Sequence, residues 1–231
     1  MSTVYSFEIQ SDELNDKLGG GFPKGSLVVI EGGSGGGKST ICQRITYGLI
    51  EKDTSVTFIS TQLTTKGYIN QMYSLNYPIA SHLLKDRLLY IPVMPLVQSA
   101  KSRIDFIERL MGAKELFEKD VIVIDTISSL IKYSANTEKS LELISFFKKL
   151  NGMGKVIILT IEPSELGEDL ASMFRSSCDI YMTLHSKALG AEVKRKVVVN
   201  KFTGAKGPVG QMIGFRIEPK VGLVVEIASV G

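Results

Sequence analysis

Residues Leu27 to Thr40 read Leu-Val-Val-Ile-Glu-Gly-Gly-Ser-Gly-Gly-Gly-Lys-Ser-Thr, and this stretch decides the fold. Leu27–Glu31 is apolar and β-branched, so it predicts a buried strand. Gly32 to Ser39 satisfies G-x-x-x-x-G-K-[ST]. Lys38–Lys52 then predicts a helix, giving the strand–loop–helix context that the motif needs. Glycines let successive backbone N–H groups turn inward around phosphate oxygens. The helix N-terminus adds unpaired donors and the positive end of a dipole. Lys38 reaches toward β- and γ-phosphates, Ser39 offers a hydroxyl to Mg²⁺, and Thr40 donates to the α-phosphate. The candidate nucleotide-binding residues are therefore Gly32, Gly33, Ser34, Gly35, Gly36, Gly37, Lys38, Ser39 and Thr40. A chance match arises in roughly one chain of this length per hundred. A plain glycine turn leaves Lys38 unexplained, because a lysine in the first helical turn opposes the local dipole. No G-x-G-x-x-G register fits residues 19–40, which argues against a dinucleotide fold.

Outward from this loop, apolar blocks alternate with helical stretches. Val56–Thr61, Leu88–Val93, Val121–Asp125 and Lys155–Thr160 predict strands. Thr65–Leu75 predicts a helix. Ser99–Phe117 predicts another, with Ala100, Ile104, Ile107 and Met111 on one buried face. Leu143, Phe147 and Leu150 mark a third, with Asn136 or Thr137 as its N-cap. Strands without polar alternation are buried on both faces, which implies a parallel sheet. After Cys178 the pattern changes to strands joined by turns: Asp179–Leu184, Val193–Lys201, Gln211–Ile217 and Gly222–Ile227. The expected fold is α/β, a mostly parallel central sheet flanked by helices with antiparallel C-terminal strands. The expected organisation is one domain over residues 1–231.

The composition of the 231 residues fits a soluble globular chain, with 44% hydrophobic and 22% charged residues. That excludes intrinsic disorder. A net charge of +3 is too mild to ask for nucleic acid. No apolar run approaches a membrane span, and the polar, acidic start does not resemble a targeting segment. Cys42 and Cys178 have no metal or redox spacing and read as reduced, buried thiols. A cytoplasmic protein is expected. Nine of the 22 glycines fall between Gly19 and Gly37.

A phosphate loop needs a partner for the metal. Asp125 ends a central strand, where a carboxylate faces the ligand crevice of such sheets. Ser39 and Asp125 are thus the candidate Mg²⁺ residues, and a cap for the following segment is the structural alternative for Asp125. Hydrolysis also needs a group that orients or deprotonates water. The end of the second strand, Ser60-Thr61-Gln62-Leu63, has no carboxylate. Gln62 can hydrogen-bond a water but is a poor base, so it is a weak catalytic candidate. The residues point to an ATP binder more than to a hydrolase.

These residues resemble those of the KaiC-type ATPases of the RecA superfamily. Leu18-Gly-Gly-Gly-Phe-Pro-Lys-Gly-Ser-Leu27 is similar to their opening, and Asp125-Thr126 to the end of their metal-binding strand. Thr160-Ile161-Glu162 resembles the stretch where a polar residue senses the γ-phosphate, which makes Thr160 a candidate. Cys178-Asp179-Ile180 is similar to the family's next strand. Val199–Gly204 resembles a K-x-R-G segment that reaches the neighbouring subunit's nucleotide, which makes Lys201 a catalytic candidate in trans. The resemblance runs from about Asp12 to Val225. Two departures stand out: Thr61 and Gln62 replace the family's glutamates, and Thr203 replaces its arginine finger. Both weaken turnover and leave phosphate binding intact.

As a short chain, this sequence is most similar to the members of the family that serve the archaellum, the archaeal flagellum. The segment Ile59–Lys66 carries that likeness. The resemblance implies an ATP- and Mg²⁺-binding subunit of the motility motor with weak or no hydrolysis. It also implies a hexameric ring at the cytoplasmic face of the membrane-bound motor, in contact with the motor's secretion-type ATPase and a membrane-bound scaffold ring. Two rival readings are an active KaiC-like ATPase or kinase, with Glu162 or Glu165 as base, and a RadA- or RecA-like DNA-dependent ATPase. The run Lys194-Arg195-Lys196 reads as an exposed strand edge. His82 and His185 read as ordinary residues, and Met72, Met94, Met111 and Met153 as core fillers.

Overall fold

The computed structural model describes residues 3–93, 104–189 and 192–226. The chain opens with a two-residue strand β1 (Val4–Tyr5), a helical turn α1 (Leu14–Lys17) and β2 (Phe22–Pro23), which pairs with β1. Gly21, at φ +129, lets this hairpin close, because a Cβ there would lie 2.5 Å from the Tyr5 carbonyl oxygen. The motif strand β3 (Leu27–Gly32) is buried throughout and feeds α2 (Lys38–Glu51). There follow β4 (Val56–Ser60), α3 (Thr65–Ser74), α4 (Ala80–Leu84) and β5 (Leu88–Pro92). The next are α5 (Phe106–Gly112), a 3₁₀ turn over Lys114–Phe117, β6 (Val121–Asp125), α6 (Ile127–Ile131) and α7 (Thr137–Gly152). Then come β7 (Val156–Ile161), α8 (Pro163–Leu166) and α9 (Glu168–Ser177). Four long strands close the chain: β8 (Ile180–Leu189), β9 (Glu192–Phe202), β10 (Met212–Glu218) and β11 (Gly222–Glu226).

Nine strands form one sheet in the order β11-β10-β9-β8-β3-β7-β6-β4-β5. The stretch from β8 to β5 is parallel, and β8 to β11 is antiparallel, as the change of pattern after Cys178 predicts. Both faces are covered. One apolar layer gathers α2, α3 and the C-terminal strands; the other gathers α5 to α9. Strands β3, β6 and β7 have no exposed residue because helices pack on both sides.

Several expectations need correction. Of the helix expected over Ser99–Phe117, residues 99–103 lie outside the described residues; the described part holds a short α5 followed by a 3₁₀ turn, and Ile104 is exposed rather than packed. Ala113, with ψ near +70°, leaves helical geometry and splits the pattern. Ala100 and Met94 lie outside the described residues. Met153 is 73% exposed because it caps the C-terminus of α7 instead of filling the core. Asn136 is the N-cap of α7 and accepts from the Lys139 N–H at 2.9 Å. His82, alone in sequence, meets Glu51 at 2.8 Å across the fold. Both cysteines are free and buried, as expected.

The N-terminal segment is tied to α2 by a fully buried ion pair. Arg44 donates to both Asp12 carboxylate oxygens, at 2.5 and 2.7 Å, and to the Phe7 carbonyl at 2.7 Å. Gly48, one turn on, allows this close approach, since a Cβ there would meet the Phe7 oxygen at 2.1 Å.

Candidate nucleotide-binding site

The loop after β3 turns through left-handed glycines, Gly35 at φ +70 and Gly37 at φ +103, and Gly37 is the N-cap of α2. A side chain at Gly37 would be strained by that φ and would press on Phe215 at 3.3 Å. The loop and the first turn of α2 line a cavity of about 350 Å³ together with Gln43, Gln62, Leu63, Gln71, Arg195 and Ile217. A larger cavity of about 550 Å³ lies against Glu8–Ser11 and Tyr77 and holds none of the motif residues.

Lys38 is buried, and its ammonium curls back onto the loop. Nζ donates to the carbonyls of Gly32 at 2.6 Å and Gly33 at 2.9 Å, and lies 3.5 Å from Glu162 Oε2. This answers the dipole conflict, since the charge is aimed away from the helix axis at acceptors of its own loop.

Asp125 is 2% exposed and accepts from Thr160 Oγ1 at 2.9 Å. Burial pushes its carboxyl above the usual carboxylate range, opposed by hydrogen bonds from the Ser39 and Thr160 hydroxyls and by the Lys38 charge. Asp125, at the end of β6, therefore meets Ser39 of α2 and Thr160 of β7, two elements on which sequence alone imposes no contact. It does not cap α6; that position is Thr126. The Asp125 carbonyl accepts from the Thr61 N–H at 2.8 Å, and Thr61 Oγ1 accepts from the Thr126 N–H at 3.2 Å. Thr61 thus braces the β6 end, which leaves Gln62 and Leu63, just beyond β4, on the cavity wall.

Lys201 stands apart. It pairs with Tyr181 in the sheet, its Nζ donates to the Cys178 carbonyl at 2.5 Å, and it does not line the cavity of its own chain. Beside it, burial pushes the Cys178 thiol up to about 11. Glu165 is engaged elsewhere, accepting from Ser128 at 3.1 Å and Ser129 at 2.5 Å with Lys132 at 3.6 Å. Of the two carboxylates in the rival reading, Glu162 faces the loop lysine.

Three polar cavity residues escaped the sequence reading. Arg195 belongs to the run read as a strand edge. Its side-chain Cδ would lie 3.5 Å from a Cβ at Gly37, and its Nε is buried without a partner among the described residues. The available signal was strand alternation: Lys194 and Lys196 are exposed on one face, while Arg195 shares a face with the buried Val197. Gln43 and Gln71 carried no signal, because a helical glutamine has no motif.

The oxygen donors Ser39 and Asp125 suit Mg²⁺, a hard cation that keeps several waters and takes one or two protein oxygens beside phosphates. Among the described residues no group of three or more His, Cys, Asp or Glu converges to hold a metal by itself.

Comparison with known proteins agrees with this geometry. The model of the KaiC ATPase family matches residues 9–228. The chain is 42% identical to the archaeal flagellar ATP-binding protein FlaH of Methanocaldococcus jannaschii, over 96% of each. It is 36% identical to FlaH of Methanococcus voltae, over 96% of this chain and 97% of that one. The crystal structure of the flagellar accessory protein FlaH from M. jannaschii superposes with a TM-score of 0.91 at 40% identity, covering 97% of this chain and all of that one. A KaiC-like protein of Pyrococcus horikoshii shares the fold, with a TM-score of 0.72 over 94% of this chain and 96% of that one at 21% identity. A RecA-like phosphate loop, a carboxylate at the end of β6 and matches along nearly the whole chain together show that the protein belongs to the KaiC-type ATPase family, among its archaeal flagellar FlaH proteins.

Proposed function

We propose that this chain is an ATP-binding subunit of the archaellum motor that holds ATP–Mg²⁺ tightly and hydrolyses it slowly. The observation that carries the reading is the asymmetry of the site. The phosphate and metal side has its residues in contact: the loop, Lys38, Ser39, Asp125 and Thr160. The water side has Gln62 on the cavity wall, a residue that can hold a water by hydrogen bonds and cannot deprotonate it. The relatives' description as ATP-binding flagellar proteins supports the setting.

In this reading the nucleotide phosphates replace Gly32, Gly33 and Glu162 as partners of Lys38. Backbone N–H groups of the loop and the α2 N-terminus hold the β-phosphate. Ser39 and Asp125 would hold Mg²⁺, which neutralises phosphate charge when bound. Thr160, already on Asp125, keeps that carboxylate oriented and stands on the γ-phosphate side. Arg195 adds a second cation beside the α2 N-cap.

Lys201, outside its own cavity, is assigned to a neighbouring subunit's nucleotide, with six chains in a ring. ATP bound between subunits would favour the ring by mass action. The ring would sit at the cytoplasmic face of the motor, against its secretion-type ATPase and the membrane-bound scaffold ring. Among the described residues no helix is long and apolar enough to cross a membrane. The chain forms one domain over residues 1–231.

Two measurements test this. Multiple-turnover hydrolysis without partners should stay well below one event per second, and rates of several per second refute the slow-turnover reading. Gln62→Glu should raise the rate, and an unchanged rate means the carboxylate is not what limits it. Light scattering with ATP–Mg²⁺ should show a ring; a monomer with and without nucleotide removes the trans role of Lys201.

A further inference from the structure

Gln43 sits one turn beyond Thr40 on the same face of α2. In a helix the Cα–Cβ bond tilts toward the N-terminus, so this side chain leans back toward the phosphate loop. It is 2% exposed, and its Oε1 has no hydrogen-bond partner among the described residues. Yet the residue lines the cavity shared by the loop. A buried amide oxygen without a donor is uncommon, because it has given up water and gained nothing. Such an atom, in a residue that lines a cavity, marks a place where a ligand supplies the donor.

The rest of the cavity narrows the choice. The loop, Lys38 and the α2 N-terminus account for phosphates. Beyond them the lining includes Leu63, Ile217 of β10 and Gln71 of α3. Apolar side chains in the lining suit a flat ring, and an amide beside it suits a ring that carries a donor.

We propose that Gln43 selects the base of the bound nucleotide. Its Oε1 accepts a hydrogen bond from the 6-amino group of adenine, and its amide N–H₂ donates to N7. Glutamine pairs with adenine in this bidentate manner where proteins read nucleic acid bases. Guanine presents two acceptors on the same edge, O6 and N7, so either orientation of the amide sets its oxygen against one of them. This assignment rests on the reading of the loop as an ATP site. Gln43 touches the base and takes no part in the chemistry at the γ-phosphate, so it is a specificity residue.

The test uses the whole chain with Mg²⁺ and three probes: ATP, GTP and purine riboside 5′-triphosphate, which lacks the 6-amino group. Isothermal titration should show ATP bound about tenfold more tightly than the purine analogue, the worth of one satisfied buried hydrogen bond. GTP should bind no better than the analogue. Gln43→Met, which keeps the volume, should bring ATP and the analogue within about twofold. The comparison on the unaltered protein needs no variant, so a Gln43→Met chain that fails to fold leaves the test intact. Equal affinity for ATP and the analogue in the unaltered protein overturns the proposal alone. A Gln43→Met variant that keeps the preference also overturns it alone. Failure of all three triphosphates to bind overturns the ATP reading together with it.

Discussion

Asp125→Asn should stabilise the protein without nucleotide and weaken it as a nucleotide binder. Asp125 is 2% exposed, and its anion is held by two hydroxyl donors, Ser39 and Thr160. The ammonium of Lys38 is committed to Gly32, Gly33 and Glu162, so its help is indirect. Burial therefore outweighs the favourable contacts, and the folded carboxyl titrates above its unfolded value. A group with a raised folded pKa favours folding while protonated and loses that contribution as pH rises through the folded pKa. An ionised Asp125 is thus a liability to the nucleotide-free fold.

Asparagine removes the charge, keeps Oδ1 as the acceptor for Thr160 and gives Ser39 a donor. The expected gain is about 1 kcal/mol, a rise in Tm of about 2–4 °C for a chain of this size. The same change removes the charge-assisted contact to Mg²⁺, about 1.5–3 kcal/mol, or about 10–100-fold in affinity for ATP–Mg²⁺. Thermal unfolding with and without saturating ATP–Mg²⁺, read by near-UV circular dichroism, measures both. Lowering the pH through the folded pKa should narrow the difference in Tm between the two nucleotide-free proteins, and the difference should vanish below the unfolded pKa. An asparagine variant that melts lower than the parent at neutral pH, or one that keeps the parent's nucleotide-induced shift, refutes the reasoning.

Two further outcomes follow from buried and half-buried charges. Asp12→Ala leaves Arg44 charged at zero exposure and should cost about 3–5 kcal/mol in urea unfolding, while Asp12→Leu with Arg44→Met should recover most of it; an additive double variant contradicts the ion-pair account. Glu162→Gln frees Lys38 from a competing carboxylate 3.5 Å away and should tighten ATP binding about threefold, as expected of a partly exposed pair. Its turnover should not change, and a large fall in turnover would make Glu162 the base of an active ATPase.

Much of the site was legible because its geometry is local. The loop from Gly32 to Thr40 is set by glycine conformations and a helix start, both properties of neighbouring residues. Strands β3, β6 and β7 were legible because burial on both faces removes alternation. The helix expected over Ser99–Phe117 failed where the backbone departs at Ala113, a break that apolar spacing does not register. Met153 failed because an apolar residue at a helix end can face water without penalty large enough to show in a pattern.

By itself, then, the sequence determined the phosphate loop, the parallel core with its antiparallel finish, and the missing carboxylate at Gln62. The tertiary structure alone decided which distant groups meet there. Sheet order brings Thr160 of β7 to Asp125 of β6 and Glu162 to Lys38. The return of β9 and β10 sets Arg195 and Phe215 against Gly37, and packing of α2 buries Gln43 beside the loop with an unanswered acceptor. The physical reason is range. Backbone conformation and burial periodicity act over a few residues and are written in order along the chain, whereas hydrogen bonds and charge pairs depend on which strands lie side by side.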